Sequence, residues 1–346
     1  MKKIIISNEI IVSHKDKIID VIKKMTEGNY RFQIVVENGK LLGTISDGDI
    51  RRGILQGNSY NVKITKCMNK NPLIGHTYKS YKHRILLNTV GSIVKFLPVL
   101  DRSNNVKYVL IEEINVTSKT ALIMAGGFGK RLGDKTKNTP KPLLKVGKEP
   151  ILELILQKLE YYNYQKIFIS THYLSQKIEK FIKKRKSKAE VFIIREEDPM
   201  GTAGSIKLLP DNVSSPLTII NGDVLSDLNL NSLISFHFEK NNSITLCAAQ
   251  YEINIPFGLI SFNKKHQLTN LKEKPTLKNY ILSGIYCIEK EMFSLINKSN
   301  FDMTELILKA NKLGKKVGIF PIYENWRDIG SLKELNLANK NTRKNI

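Results

Sequence analysis

Residues 121–144, ALIMAGGFGKRLGDKTKNTPKPLL, gather the residue types that handle phosphate. A short apolar strand runs into Ala125, Gly126, Gly127 and Gly129. Glycines leave the backbone N–H groups bare and take positive φ freely, so such a loop wraps phosphates closely. Arg131 follows, then a basic loop, then Lys141 braced by Pro140 and Pro142. The string is not a P-loop, because no Gly-Lys-Ser/Thr ends it. Nor is it a dinucleotide fingerprint, since the third glycine of G-x-G-x-x-G is missing. Other charged groups stand in short glycine- or proline-marked strings: Asp223 in NGD, Lys274 in EKP, and Asp328 in WRDIGS. Each has an ordinary alternative. Asp223 suits a turn, Asp328 suits a cap on the helix near Ser331, and Lys274 suits an exposed strand end.

The elements that must position these groups follow from periodicity. Strands are expected near 120–125, 166–171, 190–194, 217–221 and 244–249, separated by helices. Behind Pro150, placed at the first helical position, apolar residues recur at 151, 152, 155, 156 and 159, which is helical spacing. Alternating strand and helix predicts an α/β, doubly wound, Rossmann-like sheet over 119–346. Residues 256–288 read as a smaller region of strands and turns, with helices again at 289–297, 302–313 and 331–340.

Residues 1–116 differ in texture and repeat weakly. Phe32-Gln-Ile-Val-Val-Glu and Phe96-Leu-Pro-Val-Leu-Asp match in pattern, and helix candidates at 15–26 and 79–94 precede them. Two α+β units, 1–58 and 59–116, are expected to pack together, because one alone leaves an apolar face uncovered. The segment 113–119 reads as a linker.

Composition narrows the function classes. The 346 residues suit two domains, and 41% hydrophobic content supports packed cores. No window is apolar and long enough to span a bilayer, and the N-terminus lacks the pattern of a signal peptide. Cys67, Cys247 and Cys287 stand apart without metal-ligand or disulfide spacing, so a cytoplasmic setting is expected. The net charge of +23 is spread along the chain. Its densest run, KKRKSK at 183–188, reads as an exposed helix end. No aromatic residues interleave with it as base stacking requires, so neither nucleic acid nor membrane is expected as a partner.

The ordered strings AGGFGKRL, PKPLLKVG, DPMGTAGSI, NGD, FGLI, EKP, SGIY and WRDIGS resemble the signature of the sugar-1-phosphate nucleotidyltransferases. The resemblance covers 119–346. Lys130 stands where Thr is frequent and Asp134 where Pro is frequent. The resemblance implies that a sugar-1-phosphate attacks a nucleoside triphosphate and pyrophosphate leaves. It implies that Ala125, Gly126, Gly127, Gly129, Gly201 and Thr202 bind the nucleotide, and that Arg131 holds the departing pyrophosphate. Lys141 neutralises the α-phosphate region and Lys274 holds the incoming sugar phosphate. Gly258, Glu273 and Gly284 line the sugar site. Asp223 and Asp328 match the family's ligands for Mg2+, the implied cofactor.

In the N-terminal half, LLGTISDGDIRRGIL at 41–55 resembles a CBS motif, with Gly43, Ser46 and Asp49 in its key places. Such a site takes an adenine nucleotide through Ser46 and Asp49; the plainer reading is that Asp49 caps its helix. The same spacing in the second half falls on Tyr108, Ile111 and Ile114, which depart from the pattern.

Glu196 bears on the base. Guanine offers two adjacent donors, N1–H and the N2 amino group, and a carboxylate accepts both. Uracil and thymine suit an amide better, so Glu196 points to GTP. A CBS pair ahead of GTAG resembles the guanylyltransferases of legionaminic acid biosynthesis, which implies glucosamine-1-phosphate as the sugar. Mannose- or heptose-1-phosphate remain open, as does a non-catalytic nucleotide-sensing role. A homo-oligomer is expected.

Overall fold

The computed structural model describes residues 1–28, 30–90, 94–113 and 118–342. Most of the expected linker, and Ile114, lie outside these residues. The chain divides into two compact units. The first contains Met1–Lys119 together with Asn229–Ser243, and the second contains Thr120–Leu228 and Ile244–Ile346. A helix from the middle of the chain, Leu230–Glu239, thus belongs with the N-terminal unit.

The first unit contains two small sheets. One joins Phe32–Glu37 to Lys40–Ser46 and to Ile11–Val12. The other joins Val94–Leu100 to Val106–Glu113, with Lys2–Ile5 and Gly75–His76 at its edges. The repeat-equivalent residues Phe32 and Phe96 meet, their rings stacked with centroids 4.3 Å apart. Phe32 and Ile34 of one sheet share a buried cluster with Val109 and Ile111 of the other. Arg31 extends from this region to the helix Leu230–Glu239, donating 3.0 Å bonds to Ser235 Oγ and to Asn229 Oδ1. Lys119 Nζ donates to Asn231 Oδ1 at 2.6 Å.

The second unit is built on a seven-stranded mixed sheet. Its order is Glu190–Arg195, Lys166–Thr171, Thr120–Met124, Leu217–Asn221, Thr276–Ile288, Ile244–Asn254, Val317–Ile322. The first four strands run parallel. From Thr120–Met124 the chain first builds outward on one side, then returns to add Leu217–Asn221 on the other. This reversal creates a crevice at the carboxyl ends of the two central strands, where open α/β sheets place their ligands. Every strand expected from periodicity is present here.

The helix Ile151–Tyr161 buries Ile151, Leu152, Ile155, Leu156 and Leu159, the five positions its spacing marks. Pro150, however, is the N-cap rather than the first helical residue, with ψ of 149°. The basic run 183–188 is exposed at the end of the helix Ser175–Lys184, as expected, apart from Arg185. Arg185 is half-buried and clamps Glu153 and Glu160, with Nε and Nη1 contacts of 2.8 and 2.6 Å. That ion-pair set ties the end of Ser175–Lys184 to the preceding helix.

Lys158, on the same helix, donates to the Ser226 carbonyl on Val224–Ser226. Burial pushes its ammonium down to about 8, against the pull of Asp227 and Glu324. The unfolded chain releases this proton near 10.5. The cost of burying the charge is therefore full below pH 8 and fades as pH rises toward the unfolded value. Between pH 7 and 9 this adds about 1 kcal/mol to stability. Urea unfolding at both pH values should show that gain in the wild type and not in Lys158→Met. An equal gain in the variant would refute the assignment.

Beyond residue 250 the sheet extends as a ribbon over 251–280, whose side chains are exposed or half-buried. Tyr251, Phe257, Ile260, Phe262, Leu268 and Leu271 are all more than half exposed.

Candidate active site

The crevice of the second unit contains a cavity of about 270 Å³. The glycine loop, Lys141, Glu196, the turn 199–202 and residues 221–223 line it. The loop is fixed at its start, where Ala125 N donates to the Ser170 carbonyl at 2.8 Å. Gly127 has open space where a Cβ would stand, so its backbone faces the cavity without protein cover. Gly129 has φ of 67°, and a Cβ there would lie 2.8 Å from Thr136 Cγ2. The Thr136 hydroxyl in turn lies 3.1 Å from the Gly129 carbonyl. Phe128 packs beside His172 and Tyr173 at the rim, with ring centroids 5.6 and 5.4 Å away.

Asp223 follows the strand Leu217–Asn221. Gly222 N donates to the Met124 carbonyl at 2.8 Å, which folds the chain tightly over the neighbouring strand. A short pairing of Val224–Ser226 with Trp326–Asp328 sets Val224 opposite Asp328. Ile329 N donates to the Asp223 carbonyl at 2.9 Å. Two carboxylates from segments a hundred residues apart therefore share one site. Lys141 donates to Asp223 Oδ2, and its Nζ stands 3.9 Å from Asp328 Oδ1. Burial and the Asp223 charge raise the pKa of Asp328, opposed by Lys141 and Arg131. Arg131 lies against Gly330, where a Cβ would be 3.2 Å from its Nη2. Arg131, Lys141, Asp223 and Asp328 are thus brought together.

Two hard carboxylates fit Mg2+, which is commonly held by one or two carboxylates plus substrate phosphates. Asp328 Oδ1 is buried without a hydrogen-bond partner, an acceptor suited to a cation. Among the described residues no cluster of three or more His, Cys, Asp or Glu suits a metal. Substrate oxygens would have to complete the coordination.

Glu196 sits at the cavity wall, almost fully buried. Ser170 Oγ donates to its Oε1, and Met200 N donates to its Oε2 at 3.1 Å. Ser170 carried no motif in the sequence. Its only signal is its place near the carboxyl end of a parallel strand beside the glycine-loop strand, where such folds put functional groups.

The turn Gly201–Gly204 needs its glycines for a reason the sequence did not reveal. A Cβ on Gly201 would lie 2.7 Å from the Phe301 carbonyl, and one on Gly204 2.2 Å from the Ser299 carbonyl. The close approach is by the protein's own backbone. Ala203 N and Gly204 N both donate to the Phe301 carbonyl, at 2.8 and 3.0 Å. Thr202 is held by Asp302 Oδ1, which accepts from its N at 3.0 Å.

Other expected site residues do not line this cavity. Gly258, Glu273 and Lys274 lie on the exposed ribbon, with Glu273 Oε2 3.2 Å from a Cβ position on Gly258. Lys274 has φ of 43°. Gly284, with φ of 75°, packs against Asn221, whose Nδ2 would lie 2.6 Å from a Cβ. In the N-terminal unit Ser46 is the N-cap of Asp47–Leu55, with Asp49 as N3. The two side chains form a reciprocal capping box, and Arg52 also donates to Asp49. Their hydrogen-bonding capacity is largely spent on the helix terminus.

Among the described residues no helix is long and apolar enough to cross a membrane. The CBS domain family matches residues 1–56. The mannose-1-phosphate guanylyltransferase catalytic subunit beta of Drosophila pseudoobscura pseudoobscura is 28% identical over 221 residues, 62% of this chain and 60% of that protein. The bifunctional protein GlmU of Methanococcus aeolicus is 30% identical over 236 residues, 65% of this chain and 55% of that protein. The match therefore spans less than two thirds of the length of these relatives. HddC from Yersinia pseudotuberculosis shares the fold, with a TM-score of 0.52 at 24% identity over 65% of this chain and 99% of that one. The nucleotidyl transferase family matches residues 120–345, the span that carries the glycine loop and both aspartates, and the chain belongs to that family.

Proposed function

We propose that the chain transfers GMP from GTP to a hexose-1-phosphate, forming a GDP-sugar and releasing pyrophosphate. The observation that carries this reading is the cluster of Lys141, Asp223, Asp328 and Arg131 at a crevice floored by a bare glycine loop. The attacking sugar-phosphate oxygen is already anionic and needs no general base. It bonds to the α-phosphorus of GTP as the bond from that phosphorus to the bridging oxygen breaks, and pyrophosphate departs with the electron pair. The obstacle is repulsion between two anions, so catalysis rests on positioning and positive charge.

Lys141, which lines the cavity and bonds to Asp223, would neutralise the α-phosphate. Arg131, which stands near Asp328, would hold the departing pyrophosphate. Asp223 and Asp328 would hold Mg2+, which when bound supplies positive charge to the phosphate oxygens. Glu196 lines the cavity, and the remaining lone pairs of its two carboxylate oxygens would accept from the paired donors of guanine.

For the sugar, the CBS module ahead of the transferase supports glucosamine-1-phosphate, as in legionaminic acid biosynthesis. The likeness to the Drosophila guanylyltransferase supports mannose-1-phosphate. A pyrophosphate-release screen of GTP, ATP, UTP and CTP against glucosamine-, mannose- and heptose-1-phosphate tests the proposal. GTP with one of these sugar-1-phosphates should dominate. Preference for UTP would overturn the choice of base, and no release with any pair would overturn the transfer itself.

A further inference from the structure

We propose that Ser170 is a positioning residue that sets the discrimination between purine bases, by fixing the carboxylate of Glu196. The inference rests on the reading that Glu196 meets guanine.

Ser170 lies at a junction of the site's two recognition parts. Its carbonyl accepts from Ala125 N at 2.8 Å, which pins the first residue of the phosphate loop. Its hydroxyl donates to Glu196 Oε1. The Ser170 side chain is fully buried and Glu196 nearly so, so water does not compete freely for this bond.

Glu196 is otherwise held mainly through its backbone. Its N donates to the Thr171 carbonyl at 2.8 Å, and its carbonyl lies 3.0 Å from His172 Nδ1. Beyond the backbone a glutamate side chain has three rotatable bonds, and the last of them is broad. Met200 N, at 3.1 Å from Oε2, is the other restraint on the carboxylate. It belongs to the turn that also lines the cavity. Gly126 completes the fit: a Cβ there would come within 3.0 Å of Glu196 Oε1.

Each carboxylate oxygen thus accepts one protein hydrogen bond and keeps further lone-pair capacity. Two fixed acceptors side by side match N1–H and the N2 amino group of guanine together. Hypoxanthine keeps N1–H but lacks the amino group, so the GTP to ITP ratio reads how well both oxygens are aligned. A carboxylate freed from Ser170 turns about its last bond. It still meets a single donor but loses simultaneous alignment with two.

The test uses the full chain. Pyrophosphate release with GTP and with ITP is measured for wild type, Ser170→Ala and Ser170→Thr, at saturating sugar-1-phosphate. Wild type should favour GTP in kcat/KM by about 10–100-fold, the range expected for one charge-assisted hydrogen bond. Ser170→Ala should lower that ratio at least fivefold, with the KM for sugar-1-phosphate unchanged. Ser170→Thr keeps the hydroxyl and should restore the ratio. A merely structural role would lower both nucleotides alike, so an unchanged ratio in Ser170→Ala overturns the role of Ser170 while the guanine reading stands. If Ser170→Ala does not fold, an altered ratio in Ser170→Cys supports the proposal and an unaltered one overturns it. A wild type that treats GTP and ITP equally overturns the guanine reading and this proposal with it.

Discussion

Asp223→Asn should lower turnover by about 10²–10³-fold while the chain remains folded. The substitution is nearly isosteric, so the tight passage from Gly222 to Val224 and the pairing with Trp326–Asp328 should survive. What changes is charge. Asp223 is the ion-pair partner of Lys141 and stands with Asp328 across the short two-stranded pairing. A neutral amide is a poor ligand for a hard divalent cation. It also leaves Lys141 with Asp328 as its remaining anionic neighbour. Two measurements check this: pyrophosphate release, and Mn2+ binding followed by electron paramagnetic resonance, with near-ultraviolet circular dichroism to confirm the fold. Full turnover or wild-type Mn2+ affinity in the variant would remove Asp223 from the metal assignment.

Lys141→Met should reduce turnover by a similar factor, about 10²–10³-fold, for the complementary reason. The side chain is largely buried, with 11% of its surface exposed, between carboxylates whose exposures are 20% and 40%. Its removal leaves two like charges facing each other without their internal cation. The free protein should therefore lose about 1 kcal/mol of stability, a figure kept small because the carboxylates are partly solvated. Added Mg2+ should restore the melting temperature more strongly in the variant than in wild type, because the metal no longer competes with an ammonium. Pyrophosphate release and melting with and without Mg2+ read both effects. Unchanged turnover would remove Lys141 from the reaction, and equal Mg2+ effects would show that it does not share the aspartate site.

The sheet was legible because its strands are continuous apolar runs between helices of clear 3.6-residue period, and both patterns follow from burial on two faces. The helix behind Pro150 shows this best, since its five spaced apolar residues are the five it buries. The grouping of Lys141 with Asp223 and Asp328 came from ordered short strings, because no local pattern links positions so far apart in sequence. Ser170 was invisible for a related reason: a lone serine in a strand has no spacing to mark it. The glycines of Gly201–Gly204 stand out in the string, but their closest neighbours lie near residue 300, and contacts over that separation leave no periodic trace. Ser46 and Asp49 show the converse limit. The pattern Ser-x-x-Asp serves equally for a ligand and for a helix terminus, and here the side chains bond to each other.

The N-terminal compact unit is discontinuous in sequence, since it includes Asn229–Ser243. During synthesis the first 119 residues emerge long before that helix does. Arg31 must wait for partners at Asn229 and Ser235, about two hundred residues later. The unit therefore reaches its final hydrogen bonding only after more than two thirds of the chain exists, and no single cut in the polypeptide separates it whole. A gene fragment ending near residue 119 encodes a unit with a missing helix.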